Sequence, residues 1–118
     1  MDADTYQQLA MRTAGDVAGT PLKDALIVSA LGLTGEAGEV ADLVKKHVAQ
    51  GHPLDRARLI AEAGDVAWYL ARLCTALAVP LSDVLRHNVD KLIERYPDGF
   101  TTAASIGRKE DAVPPDAG

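Results

Sequence analysis

Two pairs of acidic residues are the part of this sequence best suited to chemistry. Glu36 and Glu39 stand three residues apart, and Glu62 and Asp65 repeat that spacing 22 residues further on. Because residues i and i+3 lie on the same side of an α-helix, each pair presents two carboxylates on one face. Apolar residues share those faces, so we expect the four acids to point towards the interior. Buried carboxylates must be protonated, paired or bound to a cation, and nearby bases are few. The pattern therefore indicates a divalent metal site.

The donor atoms of this site favour Mg²⁺, with Mn²⁺ as an alternative. Mg²⁺ prefers oxygen ligands and usually keeps positions for water and substrate phosphate. His47 and His52 have a nominal zinc-ligand spacing, but they straddle a helix end and have no cysteine partners. Gly32, Gly35 and Gly38 do not form a phosphate-binding loop, because the Gly-Lys-Ser/Thr ending and the preceding strand are both missing.

The composition indicates one helical domain and excludes several classes of function. The 118 residues are 47% hydrophobic but only 4% aromatic, which favours close-packed helices over a sheet. A net charge of −5 without a long basic run argues against binding a nucleic-acid polymer. No apolar run approaches the roughly 20 residues that span a bilayer, and the N-terminus does not resemble a signal peptide. With Cys74 as the single cysteine, we expect a cytoplasmic protein that does not bind membranes.

Capping and breaking residues predict four helices that position the acids. The first is capped by Asp4 or Thr5 and ends near Gly19, and the second runs from just after Pro21 to about Gln50. The third is capped by Asp55 and ends near Ala78, and the fourth is capped by Ser82 and closed by Pro97. We therefore predict a four-helix bundle-like domain over residues 1–100 and a flexible tail over 101–118.

Small residues on the second and third helices predict that the two helices approach closely. Each of Gly32, Gly35 and Gly38 costs about 1 kcal/mol relative to Ala inside a helix, so a close neighbour must explain them. Gly64, among several alanines, provides a matching strip on the third helix. Apolar residues on more than one face of the second helix predict a homo-oligomer, either a dimer or a dimer of dimers.

The acidic pairs and their surroundings resemble a known family. Glu36-x-x-Glu39 followed by Glu62-x-x-Asp65 resembles the metal signature of the all-α nucleoside triphosphate pyrophosphohydrolases, the MazG-like superfamily. The chain is similar to the short single-domain members from bacteria and phages over about residues 22–100, through the stretches LGLTGEAGEVADLVKK, AEAGDVAWYLARL and NVDKLIERYPDGF. Ala63 departs from the pattern, because family members often carry Leu there.

The resemblance implies an activity. Members of the superfamily cleave a nucleoside triphosphate between its α- and β-phosphates, giving the monophosphate and pyrophosphate. It implies that Glu36, Glu39, Glu62 and Asp65 hold Mg²⁺ or Mn²⁺. Either Glu39 or Glu36 would also be the catalytic base that accepts a proton from the attacking water.

Candidate substrate ligands lie outside the acidic pairs. Asn88, Lys91 and Arg95 fall on one stripe of the fourth helix, and the Asn-x-x-Lys motif of the family binds polyphosphate. The alternative is a solvated face on which the two cations pair with Asp90 and Glu94.

Lys46 and Trp68 complete the candidate set. Lys46 lies about two turns beyond Glu39. We expect it either to bind a substrate phosphate or only to stabilise the C-terminal end of its helix by interacting with the helix dipole. Trp68, three residues after Asp65, stacks on a base or packs in the core.

Two other functions remain open from the sequence. One is a helical module that binds a metal ion or a nucleotide without turnover. The other is phosphoribosyl-ATP pyrophosphohydrolysis, which shares the fold and the metal chemistry but is disfavoured by the closer similarity to the phage-like subgroup.

Overall fold

The computed structural model describes residues 1–108, and these residues confirm the all-α prediction. The helices are α1 (Ala3–Met11), α2 (Leu22–Gln50), α3 (Arg56–Ala76), α4 (Leu81–Arg95) and α5 (Thr102–Ile106). The chain divides into two compact units, residues 1–84 and 85–118, so α4 begins in the first unit and ends in the second. The first unit contains both acidic pairs, and its main packing joins α2 to α3, with α1 against α3.

Helix α2 is continuous over 29 residues, as predicted. It ends at Gly51, whose φ of 73° is accessible to glycine at little cost, and the His52 N–H donates to the Lys46 carbonyl at 3.0 Å. The close approach predicted at its glycines is confirmed only at Gly32, where an added Cβ would overlap the ring of Tyr69 on α3. At Gly35 and Gly38, and at Gly64 on α3, an added Cβ meets nothing within 4 Å. The expectation of a close neighbour was therefore wrong for these three positions within this chain.

Polar side chains hold α1 antiparallel to α3. The indole N–H of Trp68 donates to the Ala10 carbonyl at 3.0 Å and to Thr13 Oγ1 at 2.9 Å. Near the C-terminal end of α3, Gln7 Nε2 donates to Thr75 Oγ1 and to the Val79 carbonyl, both at 3.1 Å. These bonds fix the side of α3 that α1 covers.

The ends of two helices, α1 and α4, differ from the sequence predictions. Helix α1 ends at Met11 rather than near Gly19, because Asp16 Oδ1 accepts the Gly19 N–H at 2.8 Å and organises a turn instead. Its cap is Asp2, and Asp4 instead accepts the hydroxyl of Ser82 at 2.6 Å. Ser82 lies inside α4, one residue after its start, so it is not the residue that precedes the helix. Helix α3 is capped by Asp55 as predicted.

The buried core of the described residues is small. The apolar residues in it are Ala25, Ala71, Cys74 and Leu81. Larger apolar side chains on α2 remain accessible, including Leu31 at 68% and Val48 at 76% exposure. No single helix among residues 1–108 has the length and hydropathy to span a membrane, and only α3 with α4, as a bent pair, meets those criteria.

The short helix α5 lies in the segment predicted to be a flexible tail. Thr101 caps it by accepting the Ala104 N–H at 3.0 Å. The rest of the predicted tail, residues 109–118, lies outside the described residues, and its flexibility stays a prediction.

Candidate metal centre

Three of the four predicted acids meet across the α2–α3 hairpin. Glu36, Glu62 and Asp65 each offer a carboxylate oxygen, and these oxygens lie within 4.8 Å of one another. Glu36 comes from α2, whereas Glu62 and Asp65 come from one face of α3. The close packing of the two helices near Gly32 and Tyr69, about one turn before Glu36, brings the two faces together.

The electrostatics of the cluster are dominated by negative charge. The pKa of Glu36 is raised above its usual value of 4.5, first because partial burial disfavours the charged form. A hydrogen bond with the Glu62 carboxyl and the negative charges of Asp65, Glu62 and Glu39 raise it further. All the charged groups that act on Glu36 are therefore carboxylates, so the apo cluster retains a proton more readily than isolated acids would.

Glu39 lies one turn beyond Glu36 but outside the three-residue cluster. Glu39 and Asp65 are exposed, and only Glu36 and Glu62 are partly buried. The expectation that all four acids point towards the interior is thus met by two of them. The reason is geometric, because an antiparallel helix pair shields the line where it touches and leaves the flanking positions open.

The three clustered residues fit a divalent cation. They supply only carboxylate oxygens, which are the donors that Mg²⁺ and Mn²⁺ prefer. Three ligands leave coordination positions for Glu39, for water and for a substrate. Their mutual repulsion also makes an added positive charge favourable at this point.

Tyr6 is a neighbour of the centre that the sequence did not single out. Burial and the negative charge of Asp65 raise the pKa of its phenol, which shows that α1 brings the ring within electrostatic range of the cluster. Tyr6 lies on the first helix, far along the chain from the acidic pairs. Its 59-residue separation from Asp65 gave no signal of this proximity.

The predicted substrate ligands differ from one another in their burial and in the contacts that their side chains make. The Nζ of Lys46 lies 2.8 Å from Asp42 Oδ2, and Asp42 is also 3.3 Å from Lys45. The ring of Trp68 is half-buried and meets Tyr69 edge-on at 4.9 Å, and its N–H binds α1. On α4, Asn88 is exposed and Lys91 and Arg95 are half-buried. Their roles as substrate ligands stay predictions.

The histidine pair at the hairpin turn has a structural role. His47 Nδ1 lies 2.7 Å from the carbonyl oxygen of His52, so that nitrogen donates its hydrogen to the backbone. This bond ties the loop back onto the end of α2.

The fold and this carboxylate cluster define an all-α protein with a candidate metal-binding site on a helical hairpin. The family of MazG nucleotide pyrophosphohydrolase domains matches residues 28–100, so the chain belongs to that family. The chain is also similar to the Gene 37 protein of Mycobacterium phage L5, with 39% identity over 117 residues that cover 92% of this chain and all of that protein. No solved structure shows a significant match. The predicted membership of the MazG-like superfamily is thereby confirmed.

Proposed function

We propose that the protein is a metal-dependent hydrolase that cleaves nucleoside or deoxynucleoside triphosphates between the α- and β-phosphates. The products would be the monophosphate and pyrophosphate. The observation that carries this proposal is the convergence of Glu36, Glu62 and Asp65 across α2 and α3 in a chain of the MazG family. The role inferred for the protein is to remove nucleotides from the cellular pool.

The clustered acids would act as ligands. Glu36, Glu62 and Asp65 would hold Mg²⁺ or Mn²⁺, and Glu39 stands one turn away to complete the set. Such an ion neutralises phosphate charge and acidifies a bound water. Because the pKa of Glu36 is raised by burial and by the neighbouring carboxylates, metal binding would displace the proton that this group retains.

Glu39 is the residue we assign as general base, with Glu36 as the alternative. Its carboxylate is exposed and is not held in the cluster, so it is available to accept a proton from an attacking water. Glu36 is less suited to that role, because its carboxylate belongs to the three-residue cluster that would hold the ion.

The proposed substrate contacts are cationic and aromatic. Lys46, Asn88, Lys91 and Arg95 would bind the phosphates, and Trp68 would border the base. For Lys46 this requires exchange of its ion pair with Asp42, which costs little because both side chains are substantially exposed.

We also propose that the chain forms a homo-oligomer. The accessible apolar side chains of α2 and the open glycines Gly35 and Gly38 support this, since both suit a second helix surface. Light scattering coupled to size exclusion would measure the assembly, and a monomer at micromolar concentration would contradict it.

Pyrophosphate release from a panel of ribo- and deoxynucleoside triphosphates, with Mg²⁺, Mn²⁺ or chelator, tests the function. Hydrolysis in ¹⁸O-labelled water should place the label in the monophosphate, as attack at the α-phosphorus requires. Orthophosphate with a nucleoside diphosphate would contradict the proposed cleavage site. Including phosphoribosyl-ATP in the panel tests the related reaction.

Variants distinguish a hydrolase from a binding module. Glu39→Gln should abolish turnover and, if Glu39 is the base, retain the thermal response to metal. Asp24→Asn, at an exposed acid in the first turn of α2, is the matched control and should keep full activity. Metal-dependent nucleotide binding without any turnover would instead support a non-catalytic module.

A further inference from the structure

The first turn of α4 is capped by side chains from α1 rather than by its own neighbours. The residue before α4 is Pro80, whose side chain has no hydrogen-bond acceptor. Gln7 Oε1 accepts the Leu81 N–H at 2.7 Å. Asp4 accepts the Ser82 N–H with Oδ1 at 2.9 Å and the Ser82 hydroxyl with Oδ2 at 2.6 Å. The start of α4 is therefore held by residues that stand 74 and 78 positions earlier in the chain.

The turn that leads from α3 into α4 also depends on α1. Ala78 has a φ of 56°, a left-handed conformation that alanine rarely adopts without support from the surrounding structure. Gln7 Nε2 supplies that support, because it donates to Thr75 Oγ1 before this residue and to the Val79 carbonyl after it, both at 3.1 Å. One amide side chain thus bonds to the end of α3, to the turn and to the start of α4.

Helix α4 carries the candidate phosphate ligands beyond this capped turn. It is one uninterrupted helix from Leu81 to Arg95, so the direction of the whole helix is set where it begins. At about 1.5 Å per residue, Asn88 lies about 10 Å and Arg95 about 21 Å along the axis from Leu81. A change of about 10° at the first turn would move the backbone of Arg95 by about 4 Å, which is more than a hydrogen bond to phosphate tolerates.

We propose that Asp4 and Gln7 are positioning residues for the hydrolysis, because they fix the direction of α4 and thereby place its phosphate ligands. This role rests on the proposed function, which takes three residues of α4 as substrate ligands. Asp4 and Gln7 act through the first turn of α4 and do not touch the substrate. The acids of the metal centre lie on α2 and α3, so loss of these bonds should weaken substrate binding more than turnover. The three ligands are Asn88, Lys91 and Arg95.

Single variants of the full chain test this role. Gln7→Glu keeps the acceptor for α4 but loses the N–H donor to the turn and to α3. Asp4→Ala removes both bonds to Ser82, whereas Asp4→Asn can retain both, because the serine hydroxyl can accept as well as donate. Gln8→Glu, at the next and exposed position of α1, is the matched control for Gln7→Glu.

Two measurements follow the direction of α4 and its effect on substrate. Residual dipolar couplings of the backbone amides report the direction of α4 relative to α3, and pyrophosphate release gives kcat and KM. For Gln7→Glu and Asp4→Ala we expect changed couplings in α4 and unchanged couplings in α3. The KM for the triphosphate should rise about three- to tenfold, with kcat within about twofold and an unchanged thermal response to Mn²⁺. Asp4→Asn and Gln8→Glu should match the parent in both measurements.

Parental α4 couplings in both disruptive variants would overturn the proposal, and so would an unchanged KM in a variant whose α4 has changed direction. A fall in kcat with a parental KM would show loss of active molecules, which also contradicts a positioning role. If Gln7→Glu does not fold, Ser82→Ala takes its place, because it removes only the 2.6 Å bond of the hydroxyl. A parent that hydrolyses no nucleotide would refute the proposed function and with it the role in hydrolysis, whereas the couplings would still decide whether α1 orients α4.

Discussion

A carboxylate oxygen of Glu36 on α2 lies within 4.8 Å of a carboxylate oxygen of Glu62 on α3. Burial and the neighbouring carboxylates raise the pKa of Glu36, so this group retains a proton more readily at the point where a metal ion would bind. Proton and metal ion therefore compete for the same oxygens. This competition determines how stability and metal affinity respond to pH.

The stability of the apo protein should fall as pH rises above about 4.5. The pKa of Glu36 is raised in the folded chain, so between the unfolded value and the folded value the native state holds a proton that the unfolded chain has released. Loss of that proton removes stability as pH passes through the folded pKa. Chemical denaturation across pH 4–8 with chelator present measures the effect.

Metal ions should reverse this pH dependence. Because binding displaces the proton that Glu36 retains, the stabilisation by Mg²⁺ or Mn²⁺ should grow with pH over the same window. Thermal unfolding with and without metal at several pH values provides the measurement. A metal response that does not change with pH would contradict competition at Glu36.

Glu62→Gln should separate apo stability from metal binding. The amide removes one negative charge beside Glu36, so the apo chain should be at least as stable as the parent at neutral pH. Its thermal midpoint should no longer rise with Mn²⁺. The matched substitution Asp24→Asn should retain the metal response. A Glu62→Gln chain that still responds to Mn²⁺ like the parent would place the ion elsewhere.

The glycines of α2 should respond oppositely to the same substitution. Gly32→Ala should destabilise the chain by about 1–3 kcal/mol, because the new methyl group overlaps the ring of Tyr69. Gly35→Ala meets no atom in this chain and should gain up to about 1 kcal/mol from helix propensity. Urea unfolding of both variants measures the contrast. A loss at Gly35 would show that a second copy packs there, and equal effects at both sites would refute the contact with Tyr69.

The sequence predicted the helices better than their contacts. Local signals such as Asp55 as a cap and Gly51 as a stop act within one turn, so α2 and the start of α3 could be located from the chain alone. Even so, Gly32, Gly35 and Gly38 look alike in sequence, and only packing against Tyr69 distinguishes the first. The i,i+3 spacing placed the acids on shared faces but did not separate Glu39 from the cluster, because that depends on where the two helices touch. The approach of Tyr6 to Asp65 is set by long-range bonds of α1, which leave no local pattern.

Trp68→Phe tests whether this ring serves the fold or the substrate. The substitution removes the indole N–H, which donates to both the Ala10 carbonyl and Thr13 Oγ1, so we expect a loss of about 1–2 kcal/mol in unfolding free energy. Thr13→Val removes one of these acceptors and should cost less. If the ring also stacks on the base, the KM for nucleotide should rise more in Trp68→Phe than in Thr13→Val. Wild-type stability in Trp68→Phe would contradict its role in holding α1.

Arg72 on α3 is a buried cation whose charge should be removable without weakening the chain, provided that the apolar stem is kept. It is 6% exposed, and its Nη1 has no hydrogen-bond partner among residues 1–108. Arg72→Met keeps the length of the side chain and removes the cost of an uncompensated buried charge. The free energy of unfolding should therefore stay equal or rise by about 1–2 kcal/mol. Arg72→Ala, which also deletes the apolar stem, should lose about 2 kcal/mol or more. Urea unfolding at two protein concentrations measures both variants. A large loss in Arg72→Met that grows on dilution would mean that the guanidinium binds an anionic group of a second copy.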